Sequence, residues 1–258
     1  MNAPGGQARM SRWEAAARHL GISAMAGALA VGAMLYIWYP GPFFTAMGGS
    51  DVALMVIGMA VAAAPFLTLV IFSRTKRLVL LQMDLAIIGT VQAVALAYGI
   101  HLLAEVRPVY LVYAFDRFDV VAANDVRDEE LARVTLPEYQ ALPWGRPRTV
   151  AVRKPRDPDE QLRVMMSAMA GADLQTFPQH YVPYELEADK AAKRAKPLAD
   201  LRRRHPQRAA YIDGEIAALG RREADTRFLP LRARVRDHAA LVDAGSGAMV
   251  GFLDVDPW

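Results

Sequence analysis

Five histidines, at positions 19, 101, 180, 205 and 238, are the side chains best suited to proton transfer or metal ligation near neutral pH. No two of them stand at a metal-ligand spacing, and the chain contains no cysteine. Thiolate metal sites, cysteine nucleophiles and disulfides are therefore excluded. Gly245-Ser246-Gly247 is too short to cradle a phosphate, and no serine has the context of a nucleophile elbow. Arg202-Arg203-Arg204, with Arg194 and Lys196 nearby, is either a solvated helix face or a cluster for anionic lipid heads or an acidic protein face. Asp84 is the one acid inside a long apolar run, where an ionisable group is costly and raises a functional hypothesis. Aspartyl hydrolysis needs a second acid at the same depth, and the sequence offers none. Asp84 lies two helical turns past Arg77, so an ion pair with Arg77 or Lys76 is the plainer role. Gln92 and His101 stand alone in the same run and suit hydrogen bonds between helices. These residues point to no enzyme, no cofactor and no metal.

The elements that position them fall into two unlike halves. Residues 1–103 carry six basic side chains (Arg9, Arg12, Arg18, Arg74, Lys76, Arg77) and three acidic ones (Glu14, Asp51, Asp84). The remainder of the chain is charge-balanced, so the net +3 belongs to the apolar half and is no nucleic-acid footprint. The expected domains are a cytoplasmic segment over 1–19, three transmembrane helices within 20–105, and a soluble domain over 106–258.

The spans are expected at about 20–39, 52–72 and 78–103, each near the roughly 20 residues that cross a bilayer. Ser11 is a candidate cap for a short helix before the first. That span has no small-residue cleavage site after it but Trp38-Tyr39-Pro40-Gly41-Pro42, which favours an uncleaved helix over a signal peptide. Pro65 should kink the second, and Ser73–Arg77 makes a basic turn into the third. The basic residues lie before span one and between spans two and three. The positive-inside rule then places the N-terminus in the cytoplasm and residues 106–258 outside, in the periplasm of a two-membrane bacterium. Small residues recur every fourth position (Ala24, Ala28, Gly32; Gly58, Ala62; Gly89, Ala93, Ala97). They serve packing among the spans, or leave one stripe for a partner's helix.

The second half predicts an α+β domain. Val109 to Val121 alternates as one strand, interrupted by Asp116-Arg117-Phe118. Short helices are expected over 125–134 and 185–219. A weak strand is expected over 149–152, and a helix opened by Asp157-Pro158 should run to about Ala170. Phe177 to Tyr184 reads as a loop plugging the core. Phe228–Val242 and Ala248–Val255 read as a hairpin about Asp243–Gly247. The fold class expected is thus a three-helix transmembrane bundle followed by an α+β domain with a small antiparallel sheet.

Six stretches recur in a fixed order: WYPGPFF after the first run, APFLTLVIF closing the second, and Lys76 followed at an interval of seven by DLAII. QAVALAYG, RPVYLVYAFDRFDVV and VDAGSGAMVGFLDVDPW complete the series. In that order they resemble the type IV pilin accessory proteins described as TfpX/TfpZ. Ala64, before Pro65, departs from a glycine in that pattern. The resemblance implies an inner-membrane protein that stabilises a major type IV pilin or modulates its assembly, acting as a chaperone without enzyme activity. Its implied partners are the pilin, the lipid bilayer and other inner-membrane pilus-assembly proteins, and not nucleic acid. The expected contacts are the turn carrying Trp38, Tyr39, Phe43 and Phe44, together with Asp116, Arg117 and Phe118, and with Asp84 and Arg107 toward the two ends of the third span. The same residues could instead fix the domain to its own spans. The competing reading is a membrane sensor whose external domain binds a small ligand.

Overall fold

A computed structural model describes residues 12–58 and 78–258, and the chain divides into two units: residues 1–34 with 50–103, and residues 35–49 with 104–258.

In the first unit, helix α1 (Arg12–Ile37) runs without a break through the expected short helix and first span. Helix α4 (Leu78–Glu105) is equally continuous. Within them, Ala16–Ile37 and Gln82–Glu105 are long and apolar enough to cross a membrane. Both turn most of their apolar side chains outward, including Leu20, Ile22, Met25 and Leu29 on α1 and Val91, Val94 and Tyr98 on α4. The second expected span falls largely outside the described residues, as do Ser11, Pro65 and the basic turn. Only its start is described, as helix α3 (Gly49–Gly58). The face of α1 that is buried carries Ser23, Gly27 and Met34, while Ala24, Ala28 and Gly32, expected either to pack among the spans or to stay open to a partner's helix, are exposed among the described residues. The polar Ser23 decides that register, because its hydroxyl accepts from Gln92 Nε2 of α4 at 2.5 Å. His19 Nε2 lies 2.8 Å from Gln92 Oε1.

The second unit is built on one mixed sheet. Its strands are β1 (Pro108–Ala114), β2 (Arg117–Ala122), β3 (Arg148–Val152), β4 (Tyr181–Pro183), β5 (Lys196–Pro197), β6 (Thr226–Arg232), β7 (His238–Asp243) and β8 (Met249–Leu253). The order is β4-β3-β1-β2-β6-β7-β8, with β5 paired to the start of β6. The pairs β1–β3 and β2–β6 are parallel and the others antiparallel. The small antiparallel sheet expected from sequence is therefore too small and of the wrong kind. Two single-strand readings also split. Val109–Val121 is a hairpin that turns at Phe115-Asp116, and Phe228–Val242 is β6 and β7 joined by a turn in which Asp237 Oδ1 accepts from Ala233 N–H at 2.9 Å.

The split follows from burial on both faces. Every residue of β1 is buried, with Leu111 and Tyr113 on one side and Tyr110, Val112 and Ala114 on the other. A strand covered on both sides reads as a continuous apolar run, in which period-2 alternation carries no signal. Helices α8 (Leu198–Arg204) and α9 (Ala209–Ala218) cover β6–β8 through Leu198, Leu201, Ile212 and Ile216. On the opposite face, helix α7 (Ala188–Arg194) packs Ala191 against the strands, with Tyr184 just before it and Ala195 just after it in the same cluster. Gly247 in the β7–β8 turn has φ +71°, and a Cβ there would fall 1.9 Å from the Ala188 carbonyl oxygen. Only glycine fits both demands.

Residues 35–49 belong to this core. Tyr39, Phe43 and Met47 are 2%, 4% and 3% exposed and join the same cluster as Leu111, Tyr113, Phe118 and Leu229. The short helix α2 (Phe43–Ala46) presents the Ala46 carbonyl, which accepts from Val235 N–H at 2.9 Å and Arg236 N–H at 3.2 Å. A domain drawn over 106–258 alone omits this segment.

Candidate interaction surface

Helix α6 (Pro158–Met169) starts as its sequence dictates. Asp157 caps it, accepting from Asp159 N–H at 3.3 Å, Pro158 takes the first position, and Gly171 at φ +90° ends it. Its orientation is the reverse of an ordinary surface helix. The side that meets the domain carries Glu160, Arg163, Val164 and Ser167, while Leu162, Met165, Met166 and Met169 are 53%, 58%, 56% and 81% exposed. No residue of α6 is buried.

An ionic network holds the inner side. Arg163 Nη1 donates to Glu130 Oε1 at 2.8 Å and Arg163 Nε to Glu160 Oε2 at 2.8 Å. Gln179 Nε2 donates to Glu130 Oε2 at 2.8 Å, and His180 Nε2 lies 2.9 Å from Glu160 Oε1. Arg163 also lies over the Phe177 ring, 5.1 Å from its centroid. The hydrogen bonds from Arg163 hold the Glu160 carboxyl down at about 2. Burial works to raise Glu130, but the hydrogen bonds from Arg163 and Gln179 prevail and lower it. Glu130 comes from the short helix α5 (Asp128–Leu131), and Gln179 and His180 from the segment expected to be a plugging loop. That segment does fill the core, with Phe177 and Tyr181 buried, and it also supplies strand β4.

The expected contact residues scatter between surface and core. Tyr39, Phe43 and Phe118 are interior. Trp38 is half-buried, its Nε1–H donating to Trp144 O at 2.9 Å. Phe44 is half-buried and packs edge-on to Tyr39, ring centroids 5.6 Å apart. Arg107 is 6% exposed. Its guanidinium donates to the Ala104 carbonyl in the last turn of α4 and lies 4.3 Å from the centroid of the Trp144 ring. That is the work of a helix C-terminal cap, where a cation meets unpaired carbonyls. Asp84 is half-buried on α4, and the residues expected to pair with it lie outside the described ones. Asp116 is exposed, and Arg117 bonds Asp119, Nε to Oδ2 at 3.1 Å. Burial raises the Asp119 carboxyl against the pull of Arg117.

The Arg202–Arg204 cluster is internally spent. Arg202 bonds Asp213 and Glu223, Arg203 bonds Asp200, and Arg204 caps the Pro257 carbonyl. Among the described residues no three metal-ligating side chains gather. The outward face of α6 was missed from the sequence, although Leu162, Met165, Met166 and Met169 stand at the helical spacing that marks one face. The spacing does not say which way that face points.

No family model and no solved structure matches the chain. It is 32% identical over 181 residues to a fimbrial assembly protein of serogroup I from Dichelobacter nodosus, covering 70% of each chain. The serogroup E1 fimbrial assembly protein of the same organism is 29% identical over 181 residues, with the same coverage. The protein of serogroups C1 and C2 is 29% identical over 113 residues, which is 44% of this chain and 86% of that relative. By the extent of the first of these matches, the chain belongs to the fimbrial assembly protein family.

Proposed function

We propose that this protein is a membrane-anchored, non-catalytic factor for type IV pilus assembly, of the kind described as TfpX/TfpZ, which holds a major pilin before or during its incorporation. The observation that carries the reading is α6: a helix bound to its domain by charge, with its apolar face turned away, on a member of the fimbrial assembly family. Exposed methionines adapt to varied partner surfaces because their side chains are unbranched and polarisable. The outward apolar side chains of α1 and α4 suit a lipid environment or a partner's apolar helix. In this reading the helices sit in the inner membrane with the N-terminus cytoplasmic, and the sheet domain is periplasmic. Two modest contacts on one tethered molecule then reinforce each other through effective concentration. Deleting the gene should lower pilin level or pilus number, and pilin should co-purify with the protein from mild detergent. Unchanged pili together with absent co-purification would overturn the reading.

A further inference from the structure

A second surface of the sheet domain has the make-up of a ligand site. It is a cavity of about 300 Å³ off the carboxyl ends of the parallel strands β1 and β3, floored by Tyr113, Phe115 and Val152. In open α/β sheets the carboxyl ends of parallel strands are a common place for ligands. Five cationic side chains line it: Arg153, Lys154, Lys190, Lys193 and Arg194. The one carboxylate among them, Glu187, is already engaged by Arg153 at 2.7 Å and Lys190 at 2.5 Å. Lys154, Lys193 and Arg194 add charge that Glu187 does not offset. Asp116 lies close by but points its charge to Arg117, 3.8 Å away.

Phe115 is the independent observation. It occupies the first corner of the two-residue β1–β2 turn at φ +65°, among the described residues the one non-glycine with positive φ. Such corners favour glycine, and a bulky residue there is strained. The residue nevertheless stays 41% exposed, its ring under the Lys154 ammonium at 5.1 Å from the centroid. The Tyr113 hydroxyl donates to the Phe115 carbonyl at 2.6 Å and pins the turn. Strain kept on an exposed aromatic beside surplus charge is a mark of binding sites.

We infer that this pocket binds an acidic segment of a protein partner, one or two carboxylates against Lys154, Lys193 and Arg194 with a neighbouring apolar side chain on Phe115. A protruding peptide suits a concave, apolar-floored cavity better than a layer of lipid headgroups, which needs cations spread over an open face. The inference rests on the assembly reading in taking the partner to be a pilus component.

The test uses the full chain in zwitterionic detergent. Two dye-labelled, end-blocked probes, Asp-Phe-Glu-Glu and Lys-Phe-Lys-Lys, are followed by fluorescence anisotropy. The acidic probe should bind at least tenfold tighter than the basic one, and Lys193→Glu with Arg194→Glu should cost it at least tenfold. Phe115→Gly should weaken binding severalfold while raising the unfolding temperature, since it removes strain and contact together; a structural role alone would raise stability and leave binding untouched. Equal affinity for both probes, or binding indifferent to these substitutions, overturns the inference. So does displacement of the probe by phosphatidylglycerol vesicles and not by phosphatidylcholine vesicles, which assigns the pocket to lipid. In cells, loss of pili on gene deletion with full rescue by the Lys193→Glu, Arg194→Glu chain sinks the pocket and leaves the assembly reading standing. No loss of pilin or pili on deletion, with no pilin co-purifying, sinks that reading instead.

Discussion

Arg163 and Glu130 meet at 2.8 Å, the first from α6 and the second, with a side chain only 4% exposed, from α5. This contact fixes a helix whose apolar side faces away from the domain that carries it. Removing Arg163 leaves a buried carboxylate with Gln179 and the weaker 3.3 Å contact to Arg127. Arg163→Ala should therefore cost about 3 kcal/mol of stability. Urea unfolding measures it, and proteolysis should open the chain first around 155–172. Arg163→Lys should recover part of the loss, because it keeps charge but not the fork.

The same network sets an acid limit. Glu160 is lowered from the ordinary 4.5 to about 2 in the folded chain, chiefly by the hydrogen bonds from Arg163. A depressed carboxyl contributes stability that is complete above its unfolded value and is lost as pH falls toward its folded one. The contribution of Glu160 should thus be constant above about pH 5 and decline between pH 4.5 and 2. Glu130 and Glu187, also lowered, act in the same direction, while the raised Asp119 opposes them. Urea midpoints taken down this range should fall less steeply for Glu160→Gln.

Met165→Ser with Met169→Ser should shift stability by no more than about 0.5 kcal/mol, since both side chains are exposed. Pilus number in cells carrying this pair should drop. A large loss of stability would mean that the methionines are core, and unchanged pili would remove α6 as a contact surface.

Tyr39 lies between the helical unit and the sheet in sequence but inside the sheet domain in space, at 2% exposure. Tyr39→Ala should destabilise that domain by about 3 kcal/mol or more, the cost of emptying a large aromatic site. A chain begun at residue 104 should bind hydrophobic dyes and unfold at lower urea than the same domain supplied with 35–49. Equal midpoints would refute that membership.

Gln92 bridges His19 and Ser23 across α1 and α4. Gln92→Leu should weaken that helix pair by about 1 kcal/mol, in the range for polar contacts between membrane helices. Unfolding in mixed detergent micelles is the measurement.

What the sequence determines on its own is local. Asp157-Pro158 opens α6 because capping and a fixed φ act within one turn, and Asp243–Gly247 closes a hairpin because its glycine takes a positive φ. The length of the apolar runs likewise sets α1 and α4, since a helix satisfies its own backbone. Periodicity groups residues onto a face without saying what that face meets. Three matters therefore waited on the tertiary structure. Pairing across the sheet decided that Val109–Val121 turns at Phe115. Burial decided that Tyr39 and Phe43 of the Trp38–Phe44 turn enter the sheet's core while Trp38 and Phe44 stay half-buried. The buried carboxylate of Glu130 decided that Arg163 turns inward and the methionines outward. Each depends on a partner far away in the chain, so the reason is energetic: a strand needs a neighbour's backbone, an aromatic ring needs a cavity, and a buried charge needs its counter-charge.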